Sequence, residues 1–329
     1  MQQAVLVTGA NGHLGNNLVR LLSAKNETVI AGVRQSSRRD ALNNVPCGIR
    51  FMDFRDRKSL AKAMDGVRVL YQVGAVFKHW AKDPDKEIYQ ANLEGTRNTL
   101  DAAATAGVER VVHVSSLGAV DRSQTPITEA TWNPVTTNTY FRSKTDAEKL
   151  AWELSAKHGL EMVSVLPGAI VGENCFGLTP TMGLLNTILA GKLSLNPGFF
   201  FNFVDAGDVA EGCWLAATKG RAGERYLLAN EACLGIGEIV QIAQREFPQY
   251  KIKTPGVPPR WLMRTVVTLI EAIARVRGVE PELQRNFLTE FGICENCDIS
   301  KARSELGFNP QRPGQAVAKA LHYLNKERH

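Results

Sequence analysis

A chain of 329 residues with 44% hydrophobic and 22% charged side chains holds enough apolar material for one large domain or two lobes. It lacks the composition of a disordered or fibrous protein. Its 39 basic and 33 acidic residues leave +6, scattered rather than striped, which argues against a nucleic-acid partner and suits an anionic small ligand.

The first apolar run, Ala4–Thr8, reads as a strand that enters Gly9-Ala-Asn-Gly12-His-Leu-Gly15 and then a helix over His13–Lys25. Glycines at this junction have separate uses. Gly9 makes the tight turn, Gly12 admits a pyrophosphate against the backbone, and Gly15 lets helix and strand pack closely. The free N–H groups of the helix start face the anion. A second strand, Thr28–Val33, ends in Arg34 with no acid to hold a ribose, and Arg38 and Arg39 follow. A guanidinium there suits a 2′-phosphate, so NADP(H) is favoured and NAD(H) is the alternative.

Further strands are expected at Ile49–Asp53, Val67–Val73, Arg110–Val114 and Met162–Leu166, with Asp56 as a candidate helix N-cap. Helices are expected at Asp83–Ala106, stopped by Gly107, and at Thr139–Lys157. This alternation predicts an α/β fold: a doubly wound parallel sheet covered on both faces. After Leu166 the chain is punctuated by Gly and Pro, then carries the aromatic cluster Phe199, Phe200, Phe201 and Phe203. A helix over Asp208–Lys219 and a strand over Arg225–Ala229 follow. The expected division is a dinucleotide-binding domain of residues 1–166, rejoined by 204–230, and a smaller α/β substrate lobe of 167–203 and 231–329. Trp261 to Ala274 is too short and too charged to span a bilayer. It is read as a helix covering the second lobe, with an amphipathic helix on a membrane or partner as the alternative.

Tyr140-Phe-Arg-Ser-Lys144 puts a phenol and an ammonium on one helix face, where the cation favours the phenolate. Ser115 and Ser116 end the strand at Arg110–Val114, on the edge of the sheet where ligands bind. Together with the T-G-x-x-G-x-x-G turn, these segments resemble the extended branch of the short-chain dehydrogenase/reductase superfamily, with a Rossmann-type sheet. The resemblance covers nearly the whole chain. Asn92-Leu-Glu-Gly-Thr, Asp205-Ala-Gly-Asp208 and Asp298 to Phe308 also match, and the Val33-Arg34 ending is most similar to dihydroflavonol-4-reductase-like and hopanoid-associated sugar epimerase-like proteins.

The resemblance implies roles. Tyr140 is the proton donor, Lys144 binds the nicotinamide ribose, and Ser116 hydrogen-bonds the carbonyl oxygen with Ser115 in reserve. Asn92 supports the helix and a water-linked proton path. Asp53 lies near the adenine. Cofactor contacts are further implied for Asn11, His13, Leu14, Phe54, Val73, Gly74, Ala75, Ser115, Tyr140, Pro167, Gly168 and Ile170. No metal is expected, and a homodimer through the two long helices is.

Departures from the pattern narrow the chemistry. Leu117-Gly118 stands where related dehydratases carry Asp-Glu, and Val165 to Glu173 lacks the polar residues of nucleotide-sugar epimerases. An oxidoreductase acting on an apolar or aromatic ketone, aldehyde or secondary alcohol is the leading reading, its pocket drawn from Phe77, His79, Trp80 and the later aromatic cluster. A sugar epimerase with bound cofactor and a non-catalytic NADP-binding regulator are the alternatives. The six cysteines are read as reduced thiols of a cytoplasmic protein, and no leader peptide is expected. Cys294-Glu-Asn-Cys297 lacks the second ligand pair of a structural zinc.

Overall fold

The apolar runs of the first half form the strands β1 (Ala4–Thr8), β2 (Val29–Val33), β3 (Gly48–Phe51) and β4 (Val67–Gln72), with helices α1 (His13–Ala24) and α2 (Arg57–Met64) between them. Helix α3 (Ala91–Thr105), strand β5 (Arg110–Val114), helix α4 (Thr139–His158) and strand β6 (Glu161–Pro167) continue the alternation. The computed structural model describes residues 4–77, 81–134, 137–277 and 292–328. His79 and Trp80 lie outside the described residues.

The later elements are β7 (Ala169–Val171), α5 (Pro180–Leu189), β8 (Phe200–Phe201), β9 (Phe203–Asp205), α6 (Ala206–Thr218) and β10 (Arg225–Leu228). They are followed by β11 (Leu234–Gly235), α7 (Ile236–Glu246), α8 (Arg260–Arg277) and α9 (Pro313–Lys326). Seven strands form one sheet in the order β10-β6-β5-β4-β1-β2-β3, every pair parallel. Parallel strands need crossovers, and those crossovers are the helices read from the sequence.

Both faces of the sheet are covered, which is why β1 and β2 are buried at every position and apolar but for Thr8. Leu18, Leu22, Val209 and Cys213 of α1 and α6 lie on one side. Leu60, Met64, Leu100 and Leu154 of α2, α3 and α4 lie on the other. A separate core joins α5, α7 and α9 through Met182, Leu185, Ile239, Val317 and Leu321.

Some boundaries differ from the sequence reading for local reasons. Asp56 does cap α2, its carboxylate accepting from the Lys58 amide at 3.0 Å. The helix expected from Asp83 opens with a wide π-helical stretch over Asp85–Gln90 before α3. Of the aromatic cluster, Phe203 is fully buried in the second core, with Phe199 and Phe201 packed against it. The cluster therefore serves both uses: Phe201 and Phe203 fill the lobe, while Phe199 and the exposed Phe200 line an open hollow of about 220 Å³ with Gly235 and Ile236.

The cysteine reading needs a correction. Cys233 and Cys294 are joined in a disulfide with Cα atoms 5.8 Å apart, so the thiols are not all reduced. Their segments meet because the Cys233 amide donates to Asn296 Oδ1 at 3.2 Å and Asn202 Nδ2 donates to the Glu295 carbonyl at 2.6 Å. Cys297 is a separate buried thiol, so Cys294 and Cys297 do not act as a pair.

Candidate active site

Strand order reverses between β1 and β4, and the loops leaving them diverge around a crevice. At Gly9 φ is +62°, and a side chain there would meet the Gly74 Cα at 2.7 Å. A Cβ on Gly15 would lie 2.2 Å from the Gly9 carbonyl oxygen, so only glycine lets α1 start this close to the turn. Gly12 is exposed at the N-cap of α1, with no side-chain cap and no acid in the first turn. Its open amides fit an anionic pyrophosphate, and the residues present thus suit a dinucleotide.

Neighbouring contacts tie the cradle together. Asn11 Nδ2 donates to the Arg38 carbonyl at 3.2 Å, joining the glycine turn to the loop after β2. The His13 ring lies 3.0 Å from the Glu173 carbonyl, and burial lowers its pKa. Leu14 is buried in the core beneath. The Gly74 amide donates to Thr8 Oγ1 at 3.0 Å, fixing Val73-Gly74-Ala75 beside β1, and a Cβ on Gly74 would strike the Phe54 ring at 2.6 Å. Asp53 is exposed at the end of β3, where its Oδ1 accepts from the Arg55 amide at 2.9 Å. Across the crevice Pro167 ends β6, Gly168 donates to the Leu228 carbonyl at 3.2 Å, and Ile170 lies on β7.

Beyond β2, an open hollow of about 450 Å³ is lined by Ser37, Arg38, Arg39, Asp40 and Ile49 among others. Arg34 is exposed at its approach. Arg38 is held by Asp40 through Nε at 2.8 Å.

Tyr140 and Lys144 lie in the first two turns of α4, whose start is fixed by Asn138. Its Oδ1 accepts from the Tyr140 and Phe141 amides at 3.1 and 3.2 Å, a cap worth about 1 kcal/mol. The Tyr140 hydroxyl shares a hydrogen bond with the Ser116 side chain, and burial pushes its pKa far above the ordinary value. Burial draws the Lys144 ammonium down to about 8, opposed by the Glu148 carboxylate. Phe77 stands edge-on to the Tyr140 ring with centroids 5.2 Å apart. Ser116 and Tyr140 therefore meet at the carboxyl edge of β5, with Lys144 one turn further along α4.

The choice between the serines is made by a buried carboxylate. Ser115 Oγ donates to Glu148 Oε2 at 2.6 Å, while Ser116 Oγ accepts from the Gly118 amide at 3.1 Å and faces Tyr140. Ser115 is thus committed to the protein interior. Asn92 accepts from the Val76 amide at 2.8 Å and donates to Ser143 Oγ at 3.1 Å, which in turn donates to the Tyr140 carbonyl. It fastens the loop after β4 to α4, a positioning role.

Three features were missed from the sequence. Glu148 is fully buried and accepts from Arg225 Nε and Nη2 at 2.8 and 3.0 Å. His113, buried on β5 beside Gln72, is brought down to about 4 by desolvation. Gly118 makes room for Phe141, whose ring atom would lie 2.5 Å from an added Cβ. Glu148 had a signal, since it follows Lys144 by four positions on the same face. Arg225 had none, because it comes from a distant strand. Among the described residues no group of three or more His, Cys, Asp or Glu could hold a metal.

A crevice of this construction places the molecule among the extended short-chain dehydrogenases/reductases, Rossmann-type proteins that bind a nicotinamide cofactor. The model of the NAD dependent epimerase/dehydratase family matches residues 5–229, and the chain belongs to that family. It is 34% identical over 327 residues to sterol demethylase protein B of Methylococcus capsulatus, covering 98% of both chains. It is 31% identical to cinnamoyl-CoA reductase 1 of Petunia hybrida over 271 residues, 77% of this chain and 80% of that one. The solved structure of gox2253 superposes with a TM-score of 0.84 at 29% identity, over 99% of this chain and 98% of that one.

Proposed function

We propose that the protein is an NADP(H)-dependent oxidoreductase that interconverts the carbonyl and secondary alcohol of an apolar, ring-bearing small molecule. The observation that carries this reading is the contact of Tyr140 with Ser116, one helical turn from Lys144, beside the glycine cradle. A reduced nicotinamide cofactor, held by the glycine cradle and Lys144, would supply the hydride for the carbonyl carbon. Ser116 donates a hydrogen bond to the carbonyl oxygen, and Tyr140 transfers its proton to that oxygen as charge develops. Lys144 holds the nicotinamide ribose and keeps a cation beside the phenol. Asn92 maintains the loop and helix in register through Val76 and Ser143.

The substrate class is supported by the Phe77 ring against Tyr140 and by relatives named for a sterol and for an aromatic acyl thioester. Leu117 and Gly118 leave no acid pair for water elimination, the space being taken by Phe141. The test is NADPH oxidation by the purified protein with aromatic and polycyclic ketones, run beside UDP-sugars. Turnover of the ketones is expected; conversion of UDP-sugars without net cofactor consumption would overturn the proposal in favour of an epimerase.

Preference for the phosphorylated cofactor rests on the absence of an acid at the end of β2, on the exposed Arg34 that follows it, and on Arg38 lining the open hollow. Each charge-assisted contact to a phosphate contributes about 1.5–3 kcal/mol. Arg34→Ala combined with Arg38→Ala is expected to lower kcat/KM for NADPH by roughly a hundredfold and leave NADH within about threefold. Equal losses with both cofactors in steady-state assays would assign these arginines to folding instead.

A further inference from the structure

Helix α8 buries Met263, Val267 and Ala274 on one face. Its opposite face is also apolar and stands in solvent. Trp261 is 70% exposed, Leu269 57%, Ile273 50% and Val276 89%. Two threonines share this face, but their hydroxyls turn back onto the helix: Thr265 donates to the Trp261 carbonyl at 3.1 Å and Thr268 to the Arg264 carbonyl at 2.8 Å. That leaves methyl groups outward and little polar surface. A helix with one face in the protein core and a second, continuous apolar face has a further partner to bury.

The charge around the helix identifies that partner's chemistry. Residues 251–277 contain Lys251, Lys253, Arg260, Arg264, Arg275 and Arg277 against the single acid Glu271, a local +5 in a chain of net +6. Lys251, Lys253 and Arg264 are exposed. Two copies of the chain would bring like charges together across such a face, which disfavours self-association. An apolar face that starts with a tryptophan, on a helix with the exposed Arg264 and further cations before and after it in the sequence, matches a bilayer surface with anionic headgroups. The apolar side chains enter the acyl boundary, the indole lies at headgroup level, and the cations meet lipid phosphates.

We propose that α8 is a membrane-docking helix that holds the protein on the surface of a bilayer containing anionic lipid. The helix lies in the interface without crossing it; no helix among the described residues is long and apolar enough to span. The reading is independent of the reaction assigned to the crevice.

The full-length protein is to be sedimented with vesicles of phosphatidylcholine alone or mixed equally with phosphatidylglycerol. Binding to the anionic vesicles should exceed binding to the neutral ones by at least about tenfold at ~0.1 M salt and fall at ~0.5 M. Leu269→Glu with Ile273→Glu should abolish binding while circular dichroism and melting temperature remain near those of the parent. Lys251→Glu, Lys253→Glu and Arg264→Glu together should erase the preference for anionic vesicles. No partition onto anionic vesicles would overturn the proposal, as would binding indifferent to these charges. If sedimentation velocity instead shows a dimer that the double glutamate variant dissociates, the face belongs to a second copy. If the protein stays monomeric and off vesicles, and the double variant melts well below the parent, the face is covered within the chain.

Discussion

Tyr140→Phe is expected to lower the turnover of carbonyl reduction by between about a hundredfold and ten-thousandfold, the span covered by loss of a positioned general acid. The affinity for NADPH, followed by its fluorescence, should change little, because the substitution removes one hydroxyl and leaves the glycine cradle intact. Burial raises the phenol far above its ordinary value in the free protein. In the reducing direction that shift is useful, since it keeps the proton on Tyr140 until an alkoxide develops beside it. Ser116→Ala should cost less, because it removes a hydrogen bond and no proton. Full turnover in Tyr140→Phe would sink the chemistry proposed here.

The pH profile of the same reaction follows from Lys144. Its ammonium is held near 8 in the fold against an ordinary value of 10.5, with desolvation as the leading cause. Reductase kcat/KM is expected to fall as pH rises through about 8, where the cation beside Tyr140 and the cofactor ribose is lost. Stability moves the other way. Between about 8 and 10.5 the unfolded chain holds a proton that the folded chain has released, so this group makes unfolding less favourable as pH rises. Activity lost on an alkaline limb without melting therefore separates titration of Lys144 from denaturation.

Local signals carried much of the site into view from the sequence. The glycine turn, the Tyr140–Lys144 spacing and the Asp56 cap each depend on residues a few positions apart, and their geometry follows from one turn of helix or one tight loop. What stayed hidden was set by distant partners. The resemblance prefers Ser116 to Ser115, but the physical reason, Glu148 engaging Ser115, lies 33 residues away. Cys233 and Cys294 are separated by 61 residues and meet only because Asn202 and Asn296 fasten their segments together. The phenylalanines around residue 200 could serve a pocket or a core, and packing divides them: Phe203 goes to the core of α5, α7 and α9, while Phe199 and Phe200 line a hollow. Apolar periodicity located α8 but could not show that it has two apolar faces, since only packing tells which is covered.

Removing Glu148 should produce the largest loss of stability. Its carboxylate is fully buried between Arg225, at 2.8 Å and 3.0 Å, and Ser115, at 2.6 Å. Burial pushes the carboxyl up, yet the hydrogen bonds and charge of Arg225, with Ser115 and His113, hold it below the ordinary value. The stabilisation is therefore present above an ordinary carboxyl value and is lost as pH falls through the folded one. Arg225 has no route to water without disruption, because it also donates to the Glu129 and Thr131 carbonyls and stacks 3.8 Å from the Trp132 ring. Glu148→Ala strands that guanidinium and should cost about 3–5 kcal/mol, a fall in Tm on the order of 10 °C by calorimetry. Glu148→Leu with Arg225→Leu should recover most of the loss, because the penalty lies in the unpaired charge rather than in the missing pair. Glu148→Gln isolates the electrostatic part. It retains hydrogen-bonding capacity but withdraws the charge that raises Lys144, so the alkaline limb of the rate profile should move to lower pH. A Glu148→Gln enzyme with an unmoved limb would confine Glu148 to holding β10 against α4, with no part in setting the charge beside Tyr140.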